Sequence, residues 1–244
     1  MIATAFLALE GASTVEEVVG AARSLEAAGV AAVGLLDAQD TGLGATPFES
    51  TTLAARVAAA TSSIGVIASD SALYSFPYHS ARRLATLDHL AAGRSGWLVR
   101  SRTGADEGSA YAWRSTTGRG EELHRATEYI EIERELWGSW EDGSQWPDKA
   151  AGVFKDDSRI HRIEYRSTSF RVSGPLDTPP TPQGRPVILT FVTTVDEARA
   201  LTPYVDVAIL APADGVALDD LAAVVASAAE AAGARVLRLA GGAT

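Results

Sequence analysis

Seven predominantly apolar stretches punctuate the chain, at residues 2–9, 31–36, 64–68, 96–99, 187–192, 205–210 and 236–239. Runs without alternation suit strands buried on both faces, as in a parallel sheet. The segments between them place apolar residues at helical spacing. Between the first two runs, Val15, Val18, Val19 and Leu25 mark one helix face, Ser13 and Glu16 have the spacing of a capping box, and Gly29 supplies a stop. The same grammar predicts helices over 47–61, 78–92 and 218–232, with Gly93 and Gly233 stopping the last two. Residues 120–142 read as one long helix with Leu123, Ala126, Ile130 and Trp137 at its apolar positions. This alternation predicts an α/β fold, a TIM-type (β/α)8 barrel that is incomplete at about seven units, with its ligand site where the parallel strands end.

The eighth unit has three possible fates: a gap left open, a gap covered by the insert at 144–185, or a gap closed by a second subunit. The insert itself is not helical, because Pro147, Pro175, Pro179, Pro180, Pro182 and Pro186 forbid it. Residues 160–165 and 169–172 predict a hairpin within it. No linker interrupts the 244 residues, so a single domain over 1–244 is expected.

Charge and composition narrow the chemistry. Lys plus Arg total 21 against 31 for Asp plus Glu, and the net charge of −10 opposes nucleic acid and anionic membranes. The absence of cysteine removes disulfides, thiolate metal sites and cysteine nucleophiles, and points to a cytoplasmic protein. Residues 2–9 lack a basic leader and read as a buried strand, and no apolar run approaches the ~20 residues of a membrane helix. The histidines at 79, 89, 124 and 161 show no HxH or HExxH spacing, so no metal is expected. Ser101 and Ser139 lack the context of a hydrolase nucleophile, and Gly42 and Gly44 form no nucleotide fingerprint and read as a loop. His79, Arg82, Arg83 and Asp88 read as a helix start followed by surface or inter-helix pairs, with a substrate-facing role as the alternative. Trp97, Trp113, Trp137, Trp140 and Trp146 have the size to stack on an aromatic ring, but Trp137 and Trp140 stand at spacing more typical of core.

Four segments in order, PFESTTLAARVAAATSSIGV at 47–66, FPYHSARRLATLDHLAAGRSGW at 76–97, ELWGSWED at 135–142 and FRVSGPLDTPPTPQGRPV at 170–187, resemble the nitrilotriacetate and dibenzothiophene-sulfone monooxygenase group of the bacterial-luciferase-like flavin monooxygenases. The resemblance implies a TIM-type barrel, usually dimeric, that takes reduced FMN from a separate flavin reductase and uses oxygen to oxidise a small organic substrate. It also implies a homodimer, or a heterodimer with a related barrel subunit. Strand C-terminal ends then direct attention to Asp37, Ser69, Asp70, Arg100, Ser101, Thr193, Thr194 and Asp214.

The chain departs from the family's pattern at three cofactor contacts. Leu98 follows Gly96 and Trp97 where relatives carry a flavin-binding Asn. Leu123 and His124 stand for an Arg-Tyr pair, leaving His124 as a phosphate donor. Phe191 and Val192, before Thr193 and Thr194, replace small residues that let the backbone approach the phosphate. The resemblance thus nominates Ser69, Ser101, His124, Thr193 and Thr194 as cofactor-binding residues. For the threonines the alternative is helix capping, since Thr193 to Asp196 and Thr194 to Glu197 both have capping-box spacing. For the whole chain the alternative is a non-catalytic luciferase-like subunit whose cavity is filled by Leu98, Phe191 and Val192.

Overall fold

Residues 4–7, 14–36, 48–102, 110–111 and 118–238 are described by the computed structural model; Ser13, Asp37, Gly42, Gly44 and Trp113 lie outside them. All seven apolar runs become strands of one parallel sheet: β1 (Thr4–Leu7), β2 (Ala32–Leu35), β3 (Gly65–Ser71), β4 (Ser95–Arg100), and then, after the insert, β9 (Val187–Val192), β10 (Val207–Leu210) and β11 (Arg235–Arg238). The sheet order β1-β2-β3-β4-β9-β10-β11 follows the chain, so each strand lies beside its predecessor. Right-handed crossovers between such neighbours put every connecting helix on the same face, and the sheet curls around the other. Among the described residues no ladder joins β11 to β1, so the curl is a half-barrel rather than a closed ring.

The helices are α1 (Val15–Ala27), α2 (Ser50–Ala58), α3 (Pro77–Leu90), α4 (Arg119–Trp137), α5 (Val195–Leu201) and α6 (Leu218–Ala232). The capping box of α1 forms one residue later than the first candidate pair: Thr14 accepts from the Glu17 amide, and the Glu17 carboxylate accepts from the Thr14 amide at 3.0 Å. Gly233 ends α6 at φ 72°, a left-handed conformation that costs any residue with a Cβ. On the helix-covered face, Val33, Val66, Trp97, Val99, Ile188 and Val192 join helical Val18, Leu53, Leu84 and Ile130 in the main core. On the concave face, Leu36, Ile67, Leu98, Leu189 and Ile209 form a second, smaller cluster. Burial on both faces is why these strands read as continuous apolar runs.

Tryptophans fill the space between helices and sheet. Trp97 packs against Tyr129 and Trp137 with ring centroids 5.9 and 6.2 Å away, and the Trp137 indole donates to the Ala81 carbonyl at 3.0 Å. Trp140 donates to the Leu176 carbonyl at 2.6 Å, tying the end of α4 to the insert. The insert contains two small antiparallel ribbons, β5 (Gln145–Asp148) with β6 (Val153–Lys155), and β7 (Glu164–Arg166) with β8 (Arg171–Ser173). The second is the expected hairpin; the first gave no sequence signal, since β6 is exposed throughout.

The starts of the strands are braced by polar side chains. Arg94 donates to the Ile64, Thr61 and Ala58 carbonyls. Asp88, expected to form a surface or inter-helix pair, is fully buried and accepts from the Ser95 hydroxyl at 2.7 Å and the Gln183 side-chain amide at 2.6 Å. Arg185 grips Asp206 through two bonds of 2.6 Å, and Asp206 also accepts from the Ile188 amide. Between α3, α4 and β3, Asp70 accepts from Ser75, Ser80 and Arg83 at 2.6, 2.7 and 2.7 Å. Beside it Glu133 is completely buried, and among the described residues neither carboxyl oxygen has a hydrogen bond of good geometry.

Substitution tests both buried carboxyls. Asp88→Ala strands the Ser95 hydroxyl and the Gln183 amide, and is expected to lower unfolding free energy by about 2–3 kcal/mol in urea titrations. Burial, aided by Asp70, pushes Glu133 well above its ordinary 4.5, while Ser80 and Arg83 oppose this. The native state therefore keeps a proton that the unfolded chain releases above that value, and stability falls as pH rises through the window. Glu133→Gln removes this dependence, so its thermal midpoint relative to the parent is expected to rise progressively from pH 5 to pH 8.

Candidate functional site

Three chain segments meet where the central strands end. Ser101 and Arg102 follow β4, Thr193 and Thr194 follow β9, and Arg119 opens α4. They converge on the carboxylate of Glu197, in the first turn of α5, which is 1% exposed. One carboxylate oxygen receives the Arg102 Nε at 2.6 Å and the Arg119 guanidinium at 2.7 Å. The other receives both the Thr193 amide and the Thr193 hydroxyl at 2.7 Å. Arg119 also donates to the Ser101 carbonyl and hydroxyl and pairs with Glu122 at 2.9 Å. Arg102 reaches the Thr193 hydroxyl at 2.7 Å.

Burial alone would raise the Glu197 carboxyl, but the Thr193 donors and the two guanidiniums outweigh it and hold Glu197 below its ordinary 4.5. The group is a carboxylate at neutral pH. Among the described residues, two cations, Arg102 and Arg119, are set against two anions, Glu197 and Glu122, in these ion pairs.

Among the described residues the middle of the concave wall beneath this rim is largely apolar, and strand alternation brings Ser71 and Arg100, which are in register with each other, to the same face at its upper edge. Strand alternation faces Ile67 and Ser69 of β3, Leu98 of β4 and Leu189 and Phe191 of β9 inward. Leu98 lies in register between Ser69 and Leu189, and Phe191 lies opposite Ile209. The Ser69 hydroxyl is buried and has no hydrogen-bond partner among the described residues. Val192, expected beside Phe191 in the cavity, points the other way into the helix-side core. A cavity of about 260 Å³ opens on the same concave face, but at the strand starts, between Gly65, Gly96, Gln183 and Val207. Gly96 is part of its wall, since a Cβ there would come within 3.1 Å of Leu189 and 3.2 Å of Ile67.

The structure brings Ser101 and Thr193 together at the rim and places Ser69 on the wall below. Thr194 is the N-cap of α5, accepting from the Glu197 amide at 3.3 Å, so its hydroxyl serves the helix. His124 stands apart, exposed on α4, 3.7 Å from Glu128. Asp70 is spent on the α3 network and Asp214 is exposed. Sequence reasoning missed Arg102, Arg119 and the destination of Glu197, which are 95 and 78 residues apart in their pairs with it. The one usable signal was an Arg-Ser-Arg run, residues 100–102, at the end of a strand.

The luciferase-like monooxygenase family matches residues 2–242. Dibenzothiophene-sulfone monooxygenase of Rhodococcus erythropolis is 38% identical over 148 residues, which is 61% of this chain and 33% of that protein. One of the subunits of pristinamycin IIA synthase from Streptomyces pristinaespiralis is 36% identical over 177 residues, 72% of this chain and 58% of that protein. Among solved structures, riboflavin lyase, determined with a modified FMN and riboflavin as substrate, superposes with a TM-score of 0.81 at 26% identity, over 93% of this chain and 55% of that one. The chain thus spans between 33% and 58% of the length of these relatives.

Arg119→Ala leaves a buried carboxylate with one cation fewer. It is expected to cost about 3 kcal/mol at pH 7. Acid protonates Glu197 and relieves the unpaired charge, so the gap from the parent in urea midpoints is expected to narrow toward pH 4.

Proposed function

Because the chain belongs to the luciferase-like monooxygenase family, we propose that it is a flavin-dependent monooxygenase polypeptide that oxidises a small organic substrate on the concave face of its sheet. In this reading a separate flavin reductase supplies reduced FMN, and a second luciferase-like subunit covers the uncovered strand edges. Support for pairing comes from the open half-barrel and from a relative that is itself a named synthase subunit. Among the described residues no helix is long and apolar enough to cross a membrane.

The observation that carries the reading is the concave wall. Leu98, Phe191 and Ile209 offer a dry apolar surface, and the unpartnered Ser69 hydroxyl offers a single directed hydrogen bond to a bound ring or substrate. When bound, the flavin supplies the oxygen chemistry. The protein's part is to exclude water and orient the organic substrate against that wall.

The phosphate end of FMN does not fit the rim as it stands. The Thr193 amide and hydroxyl and both guanidiniums are already committed to Glu197.

Anaerobic calorimetric titration with reduced FMN, and separately with oxidised FMN, tests the proposal. Saturable binding of the reduced form is expected. Binding of neither form would replace the monooxygenase reading with that of a non-catalytic partner subunit.

A further inference from the structure

We propose that Glu197 is a specificity-determining residue: it is an internal anion that fills the oxyanion site of the rim, so that the chain takes a flavin, or another ring with a neutral hydroxylated tail, without gaining affinity from a terminal phosphate. This inference rests on the flavin reading for its ligand, but its core claim concerns phosphate alone.

The donor set is that of an oxyanion site. Two guanidinium groups, a backbone amide and a hydroxyl converge from the end of β4, the start of α4 and the end of β9, all at 2.5–2.7 Å from one carboxylate. Arginine forks and main-chain amides aimed at one point recognise carboxylates and phosphates alike. Here the occupant is supplied by the chain itself and is 1% exposed.

Charge decides between the two anions. Among the described residues, Glu197 and Glu122 stand against Arg102 and Arg119, so the charges of these ion pairs balance. A phosphomonoester brings about −1.5 to −2 at pH 7. It would have either to enter a charge-balanced, half-buried cluster beside a carboxylate, or to expel that carboxylate from its donors. The low titration range of Glu197 closes the third route, since neutral pH does not discharge it. A neutral polyol tail meets neither obstacle.

Phosphate-free buffer and calorimetry test this with three probes: inorganic phosphate, FMN and riboflavin. The parent protein is expected to show no saturable phosphate binding in the low millimolar range, and FMN and riboflavin affinities within about threefold of each other. Glu197→Gln, which keeps the shape and removes the charge, is expected to bind phosphate at least tenfold more tightly and to prefer FMN over riboflavin by a similar factor. Submillimolar phosphate binding by the parent, a tenfold preference of the parent for FMN, or unchanged phosphate affinity in folded Glu197→Gln would each overturn the inference. If the variant fails to fold, the phosphate titration of the parent still decides. If the parent binds neither flavin while Glu197→Gln gains phosphate binding, the flavin reading fails and the role of Glu197 stands.

Discussion

Strands laid down in chain order, each hydrogen-bonded to the one before it, leave the polypeptide no choice about where its helices go. Every right-handed crossover lands on the same face, and the sheet must curl away from the helices to accommodate them. This single constraint creates two chemically different surfaces. The convex face carries a large mixed core, with Trp97, Tyr129 and Trp137 wedged between β4, α3 and α4. The concave face of the half-barrel carries, among the described residues, a smaller apolar cluster of its own. Covering such an apolar surface removes it from water and is favourable.

The two ends of the strands serve different purposes. The segments that carry the likeness to relatives supply braces at the strand starts: Asp88 and Ser95 from the LDHL and GRSGW pieces, and Gln183 and Arg185 from the QGRPV piece. Their partners are buried or backbone groups, where a lost hydrogen bond costs about 1–3 kcal/mol. Phe191 and the Thr193–Glu197 cluster sit toward the other end of the strands, the end at which barrels of this kind place their chemistry.

How far the sequence reveals this depends on range. The central strands β2, β3, β4, β9 and β10 were visible because burial on both faces leaves a largely apolar run, and each major helix because a stripe must face the core. Where local signals were doubled they were ambiguous. Ser13 and Thr14 precede Glu16 and Glu17, and only tertiary geometry selects Thr14 with Glu17. The same doubling recurs at Thr193 and Thr194 before Asp196 and Glu197. There Thr194 caps the helix as spacing suggests, but the Glu197 carboxylate goes to Thr193, one residue earlier than a capping box requires. The ribbon β5–β6 left no trace because β6 buries no apolar face, and the arginines at the rim left none because their partner lies in a distant segment.

That one-residue difference changes what the rim is. In a reciprocal capping box the glutamate would satisfy its own helix and leave the guanidiniums free to meet a ligand. Turned toward Thr193, it draws in Arg102 and Arg119 as well, since an ionised carboxylate that is 1% exposed must be compensated. The desolvation of a single carboxylate thus ties β4, α4, β9 and α5 into one ion-paired cluster. Such a cluster confers rigidity at the mouth of the concave face, because four chain segments must hold their positions for its bonds to persist.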